Sequence, residues 1–483
     1  MIDRADLVEF AIEHAQNQGS SFAEARLIES EEETYVTLNG MFVSVQKKPN
    51  FGLGLRVIAD GGVAFVSTGV LNKDEVETRV ETAVKMAKLG NRRDPIVLSE
   101  EEQIETQWKT PVERPFEDVT DEEKRKYIKN VDKRLKKEVK GKLSRRVLVF
   151  MLNTEKKYFI NSEGTKIYSE NSLPAVYTMI TAKGKQGSEQ RMFGQGGSGG
   201  WEWFKKTHYA ENLVDDSQSL VNAANSAENH VFDSEIDVII SGEVAGIMSH
   251  ENVGHPSEAD RIMGREGAQA GESFYVDLLK NGELGEVILG SENVNIIDDP
   301  TLPMSAGYYE YDDEGVKAFP RYLVKDGKLN TLLLNREFAA KMNTHSNAAA
   351  RAISFEREPI TRMANTYFKP GDFQDVEELA EDIKSGIYMC SFTEWNIDDR
   401  RFQSKYVGLE AYIIENGELT EKMVRRPVLE LTTFGILGSV DAVTRNMHMD
   451  YGTCGKSDPM QGVPVNMGGA EVRLRDIKVG GGL

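Results

Sequence analysis

Cysteine is scarce in this chain. Cys390 and Cys454 are the only two in 483 residues, too few for a disulfide-stapled secreted fold. A basic surplus is missing as well: 78 Asp and Glu face 58 Lys and Arg, a formal charge of −20. A balance of that sign excludes general binding to nucleic acid or to anionic membranes. No apolar run reaches the length of a membrane span. The opening MIDRADLVEFAIEHAQNQG carries acids inside its apolar stretch, which fits neither a secretory signal nor a transit peptide. These absences predict a cytoplasmic protein that binds no nucleic acid and no membrane.

What is present alternates between two periodicities. Leu7, Val8, Ala11, Ile12 and Ala15 recur at helical spacing and predict an amphipathic helix. Strand-like stretches around Asn39-Gly40, Asp60-Gly61-Gly62 and Ser162-Glu163-Gly164 predict hairpins. Residues 72–90 predict a helix capped by Asn72 or Asp74, with Val76, Val80, Ala83, Val84 and Ala87 on its apolar face. Residues 121–139 carry a dense charge run on a helical pattern, expected as a solvated face. Residues 193–204 hold five glycines and read as a mobile connection, or as a lip over a substrate channel. Residues 210–225 predict a helix, and a domain boundary is expected just after it.

The second half opens with a strand at 236–240. Ser241-Gly242 then turns into a helix bearing Val244, Ala245, Ile247 and Met248. Hairpins are expected around Lys325-Asp326-Gly327 and Glu415-Asn416-Gly417, and helices at 375–386 and 426–446. The closing glycines, 480–482, give no distinct signal between a tail and a docked end. The mixture predicts an α+β protein of two domains, 1–228 and 229–483, with mixed or antiparallel sheets and packed helices.

Residues 250–255 read HENVGH. The zinc-protease signature H-E-x-x-H places its histidines four apart, on one helical face. Here they lie five apart, about 140° around a regular helix, too far to share one small cation. Such a pair serves as a metal site only where the helix ends inside the motif or widens by one residue, as a π-bulge does. Gly254 is where a distorted backbone is easiest, and Pro256 limits a regular continuation. Without a metal, the segment is a polar cluster at a helix end.

Two imidazoles do not complete a catalytic zinc site, which takes three protein ligands and leaves a position for water. Cys454, Cys390, His345, His448, Glu258 and Asp260 are the candidates for the third. Cys454 stands out because glycines flank it in a loop able to approach another element, and a thiolate is a good zinc ligand. Cys390 sits in an apolar, strand-like setting that fits a small buried hydrophobe. Glu251 follows His250 directly, where H-E-x-x-H proteases carry the general base for water.

The segment HENVGHPSEAD resembles the H-E-x-x-x-H stretch of the TldD branch of the TldD/PmbA proteins, with Glu258 and Asp260 matching its small acidic patch. GLGLRVIADGGVAFVST, DDPTLPMSAGYYEYDDEG, TRMANTYFKPGD and GTCGKSDPMQGVPVNMGG resemble further family segments, in the expected order. The resemblance implies an N-terminal α/β domain with the substrate cavity and dimer contacts. A C-terminal metalloprotease domain would follow, its zinc-site helix completed by a C-terminal cysteine loop. It implies Zn2+ held by His250, His255 and Cys454, with Glu251 as catalytic base. A homodimer, or a heterodimer with a PmbA/TldE-type paralogue, is also implied, with this chain as the catalytic subunit. Pro256-Ser257 replaces the Gly-Leu usual after the second histidine.

The function expected is a zinc-dependent peptidase hydrolysing unfolded or short linear peptides. The alternatives are a non-enzymatic partner subunit or scaffold with a structural metal, and a cysteine hydrolase using Cys454 with a histidine. Arg261 and Arg265 are candidates either for a substrate carboxylate or for ion pairs with Glu258 and Asp260.

Overall fold

Asn39 and Gly40 adopt positive φ, +52° and +82°, and fold the strands Phe22–Leu38 and Met41–Ala59 into one long antiparallel hairpin. The two other expected turns close in the same way. Gly62–Thr68 pairs back on Met41–Ala59, and Lys142–Asn161 pairs with Lys166–Gly184. The computed structural model describes residues 4–90, 94–266 and 271–481. In it these strands join Glu105–Lys109 and Gly187–Gly196 in one seven-stranded sheet.

Two helical layers cover that sheet. The helices Asp6–Asn17 and Lys73–Leu89 bury the five apolar residues predicted for each. The side chain of Asn72 caps the second by accepting from the N–H of Glu75. The helices Asp121–Glu138 and Tyr209–Ser226 close a second core around Phe150, Ile180 and Leu213. The charge run on the first of this pair is not wholly solvated. Lys124 and Asp132 are buried, one paired with Glu33 at 2.6 Å, the other with Arg146 at 2.7 Å.

The glycine-rich stretch also departs from expectation. Residues 196–200 are buried. A Cβ on Gly197 would meet the Met304 carbonyl at 2.0 Å, and one on Gly200 the Arg114 carbonyl at 2.3 Å. Glycine is needed there for close packing, and the stretch is neither a free connection nor part of the lining of the large cavity described below.

Residues 236–481 build three further sheets among the described residues, the smallest being the pair Ala350–Arg351 and Ile360–Thr361. Ile236–Ile240 sits inside an eight-stranded sheet, parallel to Ser385–Ile397 and antiparallel to Val472–Ile477. A six-stranded sheet runs from Lys328–Leu329 to His448–Lys456. Mixed strand directions fit the α+β class. The helix expected at 426–446 is confined to Thr433–Ser439, between the strands Pro427–Thr432 and Val440–Val443. Val428 and Leu429 pair with Val407 and Tyr406, so sheet pairing overrides local helix preference. The helix expected at 375–386 spans only Val376–Ala380. Val479–Gly481 pairs with Pro427–Leu429, and the last two residues lie outside the described residues. No described helix is long and apolar enough to cross a membrane.

Buried and half-buried ion pairs tie the first sheet to residues of the second half. Arg56 reaches Glu24 at 3.0 Å and Glu314 at 2.7 Å, and Lys157 reaches Asp313 at 2.5 Å. Beside them lies a cavity of about 990 Å³, lined from both sides by residues including Tyr177, Tyr309, Arg351, Tyr451 and Thr453.

Candidate metal centre

The strand Ile236–Ile240 delivers the chain to Ser241, whose hydroxyl caps the helix Gly242–Ser249. That helix presses on the strand Gln461–Gly469. A Cβ on Gly246 would meet the Gly468 N–H nitrogen at 2.4 Å, and one on Gly242 the Gly469 carbonyl at 2.3 Å. Glycines on both elements allow this approach. The strand Gln461–Gly469 pairs with His448–Lys456, where Cys454 stands opposite Val463. Helix–strand contact thus carries a cysteine from 199 residues further along onto the motif.

After Ser249 the helix widens. His250–Gly254 forms a π-turn, in which the His255 N–H bonds to the carbonyl of His250, five residues back. A 3₁₀ turn, His255–Ser257, follows with Pro256 inside it. The extra residue of HENVGH is accommodated as the spacing demanded. Gly254 contributes in a different way from that expected. Its backbone is ordinary right-handed helix, φ −58° and ψ −59°, but a Cβ would meet Met363 Sδ at 2.0 Å. The glycine makes room for a neighbour and does not supply an unusual dihedral. Asn252 pins the widened turn, donating to Ser404 at 3.1 Å and Thr433 at 3.0 Å while accepting from Tyr406 at 2.5 Å.

One donor atom from each of His250, His255 and Cys454 falls within a group no wider than 4.8 Å, and all three residues are buried. The imidazoles meet edge-on at 4.9 Å between centroids. Burial holds both below the usual histidine range, favouring the neutral ring that binds metals. Burial raises the Cys454 thiol, but His255 and then Arg362 outweigh that and bring it down to about 7. Nδ1 of His250 is buried with no hydrogen-bond partner among the described residues. Two neutral imidazoles, a thiol of lowered pKa and an orphaned ring nitrogen fit zinc.

A shell of charges surrounds this group. Nδ1 of His255 lies 3.0 Å from Glu258, leaving Nε2 toward Cys454 Sγ at 3.6 Å. Burial raises Glu258, but Lys456, Arg261 and His255 hold it well below the usual carboxylate range. Lys456 bonds both Asp260 oxygens at 2.7 Å. Arg261 donates to Glu258 at 2.6 Å, and Arg265 reaches Glu337 at 3.6 Å. These arginines therefore make internal ion pairs. Arg362 bonds the carbonyls of Cys454 and Gln461.

Glu251 is buried and pairs with Arg401 at 2.5 Å. The remaining candidates lie apart. His345 is exposed near Glu101, His448 pairs with Asp450 at 3.1 Å, and burial lifts the Cys390 thiol well above its ordinary range. Sequence reasoning did not single out Lys456, Arg362 or Arg401. Lys456 was within reach, since two residues from Cys454 on a strand means the same face. Arg362 lies in the segment TRMANTYFKPGD without having been given a role, and Arg401 carried no local signal.

Family models match three stretches: PmbA/TldA metallopeptidase domain 1 at 23–87, the central domain at 114–227 and the C-terminal domain at 233–481. A metalloprotease of Methanocaldococcus jannaschii is 32% identical over 94% of this chain and 95% of its own length. A zinc metalloprotease TldD homolog of Saccharolobus solfataricus is 32% identical over 56% of this chain and 59% of its own. The crystal structure of TldE from Thermococcus kodakarensis shares the fold at a TM-score of 0.74, with 15% identity, over 98% of this chain and 100% of that one. The chain belongs to the PmbA/TldA metallopeptidase family, the TldD/PmbA proteins.

Proposed function

We propose that this chain is a zinc-dependent peptidase acting on unfolded or short linear peptides. His250, His255 and Cys454 hold the metal, and Glu251 is the general base. The observation that carries this is the buried group of three donors within 4.8 Å, next in sequence to a buried carboxylate. With Glu258 engaged by His255, Arg261 and Lys456, the group among the described residues has three donors, the number a catalytic zinc takes, whereas a purely structural zinc usually has four protein ligands. Zinc, when bound, acidifies water and polarises a carbonyl.

The chain's own residues do the rest. His255 is oriented through Nδ1 by Glu258, which fixes Nε2 toward the donor group. Arg362 holds the backbone of Cys454 in place. Glu251 takes a proton from the attacking water and later gives it to the departing amine. In this proposal the chain is the catalytic subunit of a cytoplasmic dimer, with itself or with a PmbA/TldE-type paralogue. The support for that role is that it carries all four residues of the H-E-x-x-x-H and cysteine pattern.

The 3.6 Å contact between Cys454 and His255, with Glu258 behind the ring, also favours a second arrangement, a Cys-His-Glu hydrolase. Cleavage of an unstructured casein-derived peptide decides between them. A metal peptidase loses activity to a chelator, regains it with zinc, and loses it in Glu251→Ala with zinc retained. Activity that survives full metal removal overturns it.

A further inference from the structure

Glu251 is not free in this structure. Its Oε2 lies 2.5 Å from Nη1 of Arg401, and both side chains are buried. Among the described residues Arg401 has no second carboxylate within 4.0 Å. Arg401 belongs to the turn between the strands Ser385–Ile397 and Gln403–Glu415, where it sits at φ +63°. That region is unfavourable for a side chain with a Cβ, so the turn must be held from outside.

Several contacts hold it. Asp398 accepts from the N–H groups of Phe402 at 2.7 Å and Gln403 at 2.8 Å. The Arg401 carbonyl accepts from the Thr433 hydroxyl at 3.3 Å, and the Arg400 carbonyl from the N–H of Phe274 at 2.9 Å. Thr433 in turn accepts from Asn252, the residue after Glu251. The same network therefore fixes the widened helical turn and the turn that carries Arg401.

The guanidinium lies against Glu251, the residue next to His250. One end is occupied by Glu251, but Nε is buried and donates to nothing among the described residues. Neutralising a buried glutamate accounts for Nη1. It leaves the orphaned Nε–H and the strained, externally pinned turn without a purpose.

We propose that Arg401 is a further catalytic residue, whose guanidinium meets the carbonyl oxygen of the scissile peptide as that oxygen becomes an oxyanion. The assignment rests on Glu251 being the base. The water oxygen bonds to the carbonyl carbon while one of its protons passes to Glu251. The carbonyl π pair moves onto oxygen, opposite the Arg401 charge. The pair then returns, the C–N bond breaks, and the proton on Glu251 leaves with the amine nitrogen. A fixed, buried cation with an unused donor suits developing negative charge, because it needs no reorganisation when the charge appears. Arginine also remains charged throughout.

The test compares wild type, Arg401→Lys and Arg401→Ala, all zinc-loaded, on an unstructured casein-derived peptide. A phosphinic peptide serves as mimic of the tetrahedral oxyanion. Zinc content and thermal unfolding are recorded for each. In Arg401→Lys, zinc content and KM should stay within about 3-fold, while kcat falls by about 10²–10³-fold. Affinity for the phosphinic peptide should fall by a similar factor. Guanidinium ion added at millimolar concentration should restore part of kcat to Arg401→Ala but not to Arg401→Lys, where the cavity is filled. If Arg401→Ala does not fold, Arg401→Lys alone carries the comparison. An active wild type with Arg401→Lys within 3-fold of it in kcat overturns the role, as does lost kcat with unchanged phosphinic-peptide affinity. A zinc-loaded wild type that cleaves no peptide overturns the peptidase function itself, and the role of Arg401 with it.

Discussion

Nδ1 of His255 lies 3.0 Å from Oε2 of Glu258, three residues further on, and both side chains are buried. The contact fixes which imidazole nitrogen is left for a metal. Removing the charge while keeping the shape, as in Glu258→Gln, should weaken zinc binding by about 10–100-fold. Competition with a chromogenic chelator measures this directly. Wild-type affinity in that variant would mean that Glu258 serves only its cations, Lys456 and Arg261.

Cys454 is the donor that only folding brings to the motif. Cys454→Ala and His250→Ala should each bind far less zinc than wild type at equal free metal, by elemental analysis of dialysed protein. The helix–strand contact through Gly246 and Gly468 does not depend on the thiol. Far-UV circular dichroism should therefore be unchanged in Cys454→Ala. Full zinc retention there would remove the thiol from the donor set.

Gly254 is held to glycine by Met363, which is fully buried. In Gly254→Ala the new methyl would stand 2.0 Å from the unshifted Sδ, so either side must move. The expected cost is about 1–3 kcal/mol, the usual range for overpacking. Met363→Ala in that background should cost less than the two single changes added together. Strict additivity in denaturant melts would show that the methyl fits by another route.

Far from the metal centre, Glu33 pairs with Lys124 at 2.6 Å and accepts from the Tyr35 hydroxyl at 3.0 Å. Burial raises this carboxyl, but Lys124 and Tyr35 overcome that and lower its pKa. A group whose folded pKa is lowered stabilises the fold above its unfolded value, about 4.3, and loses that contribution as pH falls through the folded value. Lys124→Ala should therefore cost about 1.5–3 kcal/mol at neutral pH, the range for losing a hydrogen bond to a charged group, because Lys47 at 3.4 Å still pairs with the carboxylate. The difference from wild type should shrink as pH drops below 4. A gap independent of pH would assign the loss to packing.

Much of the architecture was legible because its signals are local. Asn39-Gly40 and Ser162-Glu163-Gly164 mark turns through backbone preference, and Leu7 to Ala15 mark a helix by spacing. The strand at Ile236–Ile240 and the cap at Ser241 fall where the pattern put them. Residues 426–446 misled because an apolar run without clean alternation suits both states. Pairing of Val428 and Leu429 with a distant strand decided between them. The buried pairs of Lys124 and Asp132 were invisible for the same reason, since their partners lie on other elements.

At the centre the division has a physical basis. The sequence by itself determined that a regular helix cannot bring His250 and His255 together, because five residues at 100° each carry them apart. That alone required the helix either to widen or to end inside the motif, and the structure widens it. The sequence also put Glu251 beside the first histidine and marked Cys454 as a thiol among glycines, though these fold as the strand His448–Lys456 and not as the expected loop. Tertiary structure decided the remainder. Glycine-to-glycine contact brought Cys454 to the helix, Met363 accounted for Gly254, and Glu258, Lys456 and Arg401 gathered from separate elements. Charges meet through space, and spacing along the chain records only those that share a helix or a strand.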